Sequence, residues 1–163
     1  MRFLIAAVLL CGEVAAQPRG VELFGSVGVV RGTDDEGSLG AAAAYGGAVT
    51  IPFARRWAVD VQVLTSRPAS FVRRVAISPG VQYRRGNDRA LWFIAFGPGG
   101  QWDRFRGPIM GVDVASGGTL HWRTGVVVTA SKRLLIRGEF IWVNRYVLPD
   151  VGAAVSIGVR LGR

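Results

Sequence analysis

The sequence has few cysteine, histidine and charged residues, and their scarcity excludes several classes of protein. Cys11 is the one cysteine among 163 residues, which excludes a disulfide framework and a cysteine metal cluster. His121 is the one histidine, too few for the multi-ligand sites of catalytic zinc proteins. Only 19% of residues are charged while 50% are hydrophobic, and such an apolar chain is not disordered.

The sequence also lacks an apolar run long enough for a transmembrane helix. Such a helix needs about 20 consecutive apolar residues, and the longest run here extends only from Phe3 to Cys11. Arg2 precedes this run, and Val14 and Ala16 follow it with the small-residue pattern of a secretory cleavage site. We therefore predict that residues 1–16 are a signal peptide, and that residues 17–163 form a single domain.

The charge that is present is mostly positive. Twenty Lys and Arg residues against eleven Asp and Glu residues give a net charge of +9. A basic chain raises nucleic acid as a partner, but the predicted export argues against it, and the arginines form no single run. An anionic membrane surface is the electrostatic partner that fits better.

Alternation of apolar with polar or small residues runs through most of the chain after Gln17, and helical spacing is nearly absent. A period of two predicts strands with one apolar face. Eight strands are predicted, at 21–31, 38–51, 57–66, 74–84, 91–102, 120–129, 136–143 and 151–162. The strand at 91–102 is apolar on both faces, so its side assignment stays open. Short turns are expected at 52–56, 85–89 and 131–133, and a long loop at 103–118.

Alternation alone does not say which face points inward. A soluble sheet buries its apolar face, whereas an outer-membrane barrel turns that face to lipid. Small residues at many polar positions, few charges per strand, and aromatic residues near both strand ends favour the membrane barrel. The predicted aromatic girdle is Phe53, Trp57, Tyr83, Trp102, Trp122, Trp142 and Tyr146. Basic residues beside the short turns, Arg55, Arg56, Arg85, Arg89, Lys132 and Arg133, would meet anionic headgroups.

In this interpretation eight charged residues face the barrel interior. They are Glu22, Asp60, Arg74, Arg84, Arg123, Arg137, Glu139 and Arg160. Buried charges must be paired or hydrated, so we predict an ion-pair network that fills the barrel. A narrow polar path or a small-ligand site is the alternative, because eight strands leave no room for a wide channel.

The chain resembles the small outer-membrane β-barrel family of OmpA-, OmpX- and OmpW-like proteins. The stretches PGVQYRRG at 79–86 and AVSIGVRLGR at 154–163 look like strand endings in that family, although the terminal aromatic typical of the family is absent. The resemblance implies an all-β fold, a closed antiparallel up-and-down barrel of eight strands. It also implies an outer-membrane location, insertion by the outer-membrane assembly machinery, and a structural, anchoring or surface-interaction role.

Two other functions stay open at this point. One is an exported soluble barrel, like a lipocalin, that binds an apolar ligand. The other is a lipid-modifying barrel enzyme, which would need a serine and a carboxylate near a histidine; Ser116, Asp113 and His121 are the candidates. We expect neither an enzyme nor a cofactor. The GPGG stretch at 97–100 lacks the phosphate-loop pattern, and the acidic cluster at 34–36 is interpreted as a solvated loop.

Overall fold

Eight antiparallel strands, hydrogen-bonded in chain order, close into a barrel in which the first strand pairs with the last. The structure, a computed structural model, describes residues 20–34, 37–107, 111–144 and 149–162. The strands are β1 Val21–Asp34, β2 Gly37–Pro52, β3 Trp57–Ala69, β4 Val72–Gly86, β5 Ala90–Gly107, β6 Gly111–Thr129, β7 Leu134–Asn144 and β8 Asp150–Leu161. The predicted all-β fold is confirmed. The predicted signal peptide lies outside the described residues, and within them no helix is long and apolar enough to cross a membrane.

One end of the barrel, called the turn end below, carries the chain-terminal ends of β1 and β8 and the turns at 53–56, 87–89 and 130–133. The turn after β4 shows why these links are tight. The side-chain oxygen of Asn87 accepts hydrogen bonds from the backbone N–H groups of Arg89 and Ala90, both at 3.0 Å. Gly86 precedes it with a φ of +144°, a conformation that favours glycine.

The opposite end, called the hairpin end, differs from the prediction. The prediction of a long loop at 103–118 is wrong, because β5 and β6 stay paired as far as Gly107 and Gly111. Alternation continues there, with Asp103 buried between exposed Trp102 and Arg104. The charged and glycine-rich composition of this stretch concealed the strand, and the hairpin projects as paired backbone instead of irregular loop.

The apolar face of the sheet points outward and the polar face points inward. Among the exposed side chains are Leu120, Val155 and Ile157, each more than half exposed. Among the fully buried ones are Gln62, Gln82 and Gln101. The side assignment left open for 91–102 is now given: Leu91, Phe93 and Ala95 are buried, whereas Trp92 and Phe96 are exposed.

Candidate functional site

Among the described residues, ten charged side chains face the barrel interior, in three groups. The turn-end cluster is Glu22, Arg84 and Arg160; the central cluster is Asp60, Arg123, Arg137 and Glu139; the hairpin-end cluster is Arg74, Asp103 and Asp150. Five are arginines and five are carboxylates, so the formal charges of these ten residues cancel.

Glu22 organises the turn-end cluster. Its carboxylate accepts a hydrogen bond from Arg84 Nη2 at 2.6 Å and another from Arg160 Nη2 at 3.0 Å. Glu22 is fully buried, while the side chain of Arg160 is 19% exposed. Since Glu22 lies on β1, Arg84 on β4 and Arg160 on β8, one carboxylate joins strands on both sides of the barrel seam.

Asp60 and Glu139 organise the central cluster. Arg137 donates to Glu139 Oε2 at 2.5 Å and to Asp60 Oδ1 at 3.4 Å. Arg123 Nη2 lies 2.5 Å from Asp60 Oδ2 as a charge contact. Gln62 donates to Glu139 Oε1 at 2.5 Å. These contacts cross the lumen from β3 to β6 and β7.

Aromatic rings complete the surroundings of the central cluster. The guanidinium carbon of Arg137 lies 4.4 Å from the centroid of the Phe93 ring and 5.4 Å from that of Phe24. Both rings point inward and are buried. A guanidinium over a ring face gains a cation–π attraction that grows when water is excluded. The centre of the barrel is therefore closed by packed side chains.

Arg74 organises the hairpin-end cluster. It binds Asp103 through two parallel hydrogen bonds, from Nε to Oδ1 and from Nη2 to Oδ2, both at 2.8 Å. Its third nitrogen, Nη1, donates to Asp150 Oδ2 at 2.5 Å. A bidentate arginine–carboxylate pair is geometrically specific as well as strong. Arg74 thus ties β4 to β5 and, across the lumen, to β8.

The sequence analysis did not place Asp103 or Asp150 in the interior, because it assigned both to connections. A signal for Asp103 existed: it continues the period-two series of Phe93, Ala95 and Gln101. No comparable signal marks Asp150, which opens β8 directly after residues outside the described part of the chain.

His121 is buried in the barrel interior, on the opposite side of the wall from the serine candidate. It is 2% exposed and packs near the backbone of Gly80, Gly97 and Gly99, where a Cβ would approach its ring. Ser116 lies on the exposed side of the same strand, so the two candidates face opposite sides of the barrel wall. The side chain of Asp113 lies outside the described residues. In the described part of the chain, no group of His, Cys, Asp and Glu is positioned to hold a metal ion.

Six of the seven residues of the predicted girdle are described by the structure, and all six lie on the outer surface. Phe53, Trp57, Trp102 and Trp122 are exposed, and Tyr83 and Trp142 are partly exposed. Tyr146 lies outside the described residues. The Trp57 and Tyr83 rings meet edge to face, with centroids 5.1 Å apart.

A cationic pocket of about 420 Å³ opens at the turn end, between the β2–β3 and β4–β5 turns. Its lining includes Arg55, Arg56, Arg84 and Arg85, together with one acidic residue, Asp88. The backbone N–H of Arg84 donates to the carbonyl of Arg56 at 2.7 Å. This bond joins the β2–β3 turn to β4, the strand that leads into the β4–β5 turn.

No protein-family model and no curated protein matches the sequence. Solved structures do match. The N-terminal β-barrel domain of Pseudomonas aeruginosa OprF has 10% sequence identity and a TM-score of 0.70, over 89% of this chain and 100% of that one. Neisserial surface protein A has 10% identity and a TM-score of 0.72, over 90% and 100%. Yersinia pestis Ail, solved with a heparin analogue, has 11% identity and a TM-score of 0.66, over 90% and 100%. The chain therefore shares the fold of eight-stranded outer-membrane barrels.

Proposed function

We propose that this protein is an integral outer-membrane β-barrel with a structural, anchoring or surface-interaction role, exported by a signal peptide that is then removed. The shared fold supports the outer-membrane location. The apolar outer face and the ion-paired interior support insertion in lipid, since a membrane barrel presents apolar residues outward and polar residues inward.

The observation that carries this proposal is the outer face of β4. From Tyr83 to Val75 every second side chain is aromatic or apolar, and the run is bounded by Arg85 at the turn end and Arg73 at the hairpin end. Arg85 lies twelve positions after Arg73, a length of about 40 Å along a strand. With the strand tilt of roughly 40° usual in such barrels, the separation across the membrane is about 30 Å, the thickness of the hydrocarbon core.

The turn end would face the periplasm, because outer-membrane barrels have short periplasmic turns. Arg55, Arg56, Arg85 and Arg89 then lie where anionic headgroups of the inner leaflet can reach them. The β5–β6 hairpin would project on the cell surface, where a surface interaction could take place.

The lipocalin-like alternative is not favoured. It requires an apolar cavity inside and a polar surface outside, whereas Arg123 and Arg137 are fully buried and Ile157 is 65% exposed. A lipid-modifying activity has no support from the geometry of His121 and Ser116. A wide channel is also not proposed, because large side chains such as Phe93 and Arg137 fill the middle of the lumen.

Membrane fractionation with gel electrophoresis tests the proposal. We expect the protein in the outer-membrane fraction, extractable only with detergent, and migrating faster before boiling than after it, because a closed barrel resists unfolding in detergent. Purification without detergent as a stable monomer would contradict insertion in lipid and favour a soluble barrel.

A further inference from the structure

Three arginines form a row across the outer face of adjacent strands near the hairpin end. Arg73 on β4 pairs directly with Arg104 on β5. Arg67 of β3 lies on the other side of Arg73. The residue before it, Ser66, pairs with Arg74, and the register of β3 and β4 shifts directly after that pair. All three side chains are exposed. They are called the arginine row below.

Nothing in the described protein neutralises this row. No ion pair joins Arg67, Arg73 or Arg104 to an acid among the described residues, and the exposed positions of β3, β4 and β5 include no Asp or Glu. Like charges directly opposite each other in a sheet repel and destabilise the pairing. Asp103, the acid next to Arg104 in sequence, points inward and is bound to Arg74.

The row also lies at a defined level of the barrel. Trp102, which pairs with Val75, is an exposed aromatic two residues before Arg104, a distance of about 7 Å along the strand. Tryptophan prefers the membrane–water interface. On each of the three strands the arginine is the first charged outward residue beyond the apolar run, and such a position lies in the headgroup layer.

We propose that the arginine row binds a lipid headgroup with more than one negative charge, that is, a phosphorylated lipid of the membrane layer at the hairpin end. This inference rests on the proposed function, because it requires the barrel to span a bilayer. Three guanidinium groups on adjacent strands can bind closely spaced phosphate oxygens together, and arginine forms bidentate bonds with phosphate. The bound lipid supplies the negative charge that the exposed, described positions of β3, β4 and β5 lack.

Binding of diphosphoryl lipid A to the purified protein in zwitterionic detergent micelles tests this proposal, with native mass spectrometry as the readout. The double variant Arg73→Gln/Arg104→Gln should bind about 30-fold more weakly, since each arginine at an anionic surface contributes a factor of about five. The wild-type protein should also prefer diphosphoryl to monophosphoryl lipid A.

The matched control is Arg85→Gln/Arg89→Gln, which removes the same amount of charge at the turn end. Arg85 lies on the outer face of β4, as Arg73 does, but at the opposite end of its apolar run. The affinity of this control should fall much less than that of the row variant, because Arg85 pairs with Trp92 and has no arginine opposite it on the neighbouring strand. Equal losses in both double variants would overturn the proposal, because they would indicate attraction by net charge alone. Absence of lipid A binding to the wild type would overturn it as well.

Two further measurements separate this proposal from its premise. Heat-dependent gel mobility shows whether each variant is folded, and insertion into phosphatidylcholine vesicles tests the membrane barrel alone. If the protein inserts but the row variant binds lipid A normally, the row proposal fails and the proposed function stands. A sulfated oligosaccharide that competes fully with lipid A for the row would assign it to a soluble polyanion, against this proposal.

Discussion

Arg137 stacks its guanidinium over the ring of Phe93 at 4.4 Å, and both side chains are fully buried at the centre of the barrel. The same guanidinium bonds to Glu139 and Asp60. One arginine thus bonds to two carboxylates and covers an aromatic surface.

Replacing Arg137 with methionine should destabilise the barrel by about 3–5 kcal/mol, because two buried carboxylates lose a partner. The measurement is urea unfolding in phospholipid vesicles, followed by tryptophan fluorescence. Arg133→Met, at an exposed turn position, is the matched control and should change the free energy of unfolding by less than about 0.5 kcal/mol. Equal unfolding midpoints for the two variants would contradict the central role of Arg137.

An arginine placed on the outer face tests whether that face contacts lipid or water. Val155 lies at the middle of β8 and is 56% exposed. In a bilayer, Val155→Arg should cost about 2–4 kcal/mol, while Leu161→Arg at the strand end should cost about 0–1 kcal/mol. Unfolding in vesicles gives both values. A soluble barrel would tolerate the two changes equally, since each would only add a hydrated charge.

The sequence could supply the strand pattern but not the partners of the interior charges. Trp57 to Ser66 alternates clearly enough to predict β3 and its faces. The contact between Glu22 and Arg84 joins residues 62 positions apart, and no local pattern specifies it. Which charges meet across a lumen depends on strand stagger, which only the closed barrel fixes.

Local composition also concealed one interior residue, Asp103. Asp103 follows a glycine-rich stretch in which both faces are apolar or small, so the periodicity that would place it is weak. Its pairing with Arg74 is decided by the neighbouring strand, because Arg74 and Asp103 are register partners of β4 and β5. The functional hypothesis for the outer-face arginines likewise needed the register, which set Arg73 opposite Arg104.

A double-mutant cycle tests how Glu22 divides its bonds. The coupling energy of Glu22 with Arg84 should exceed its coupling with Arg160, because the first contact is shorter and fully buried. Values of about 0.5–3 kcal/mol are expected for residues in one network, with the Arg160 pair at the low end since its side chain is partly exposed. Glu22→Gln, Arg84→Gln, Arg160→Gln and the two doubles provide the data. Equal coupling energies for the two pairs would contradict the expectation that the shorter, more deeply buried contact is the stronger one.

Replacing Asp103 with asparagine should loosen the hairpin end. Arg74 keeps Asp150 but loses its bidentate partner, so a loss of about 1–3 kcal/mol is expected. Amide hydrogen exchange should quicken in residues 99–107 of β5 more than in β7. Ser116→Ala, an exposed change on the partner strand, is the control and should leave exchange unaltered. Unchanged exchange in both variants would mean that backbone pairing alone holds the extension.

The cross-lumen bonds have a consequence for how the barrel assembles. Glu22 with Arg84, Arg74 with Asp150, and Gln62 with Glu139 each join strands that are not neighbours in the sheet. A growing sheet cannot make these bonds while it is still open and flat, and its half-built inner surface leaves ionic groups without counterparts. Closure of the barrel is therefore cooperative, because the β1–β8 pairing and the cross-lumen bonds form together. Separation of one edge strand from the sheet must also break its contacts with the opposite wall.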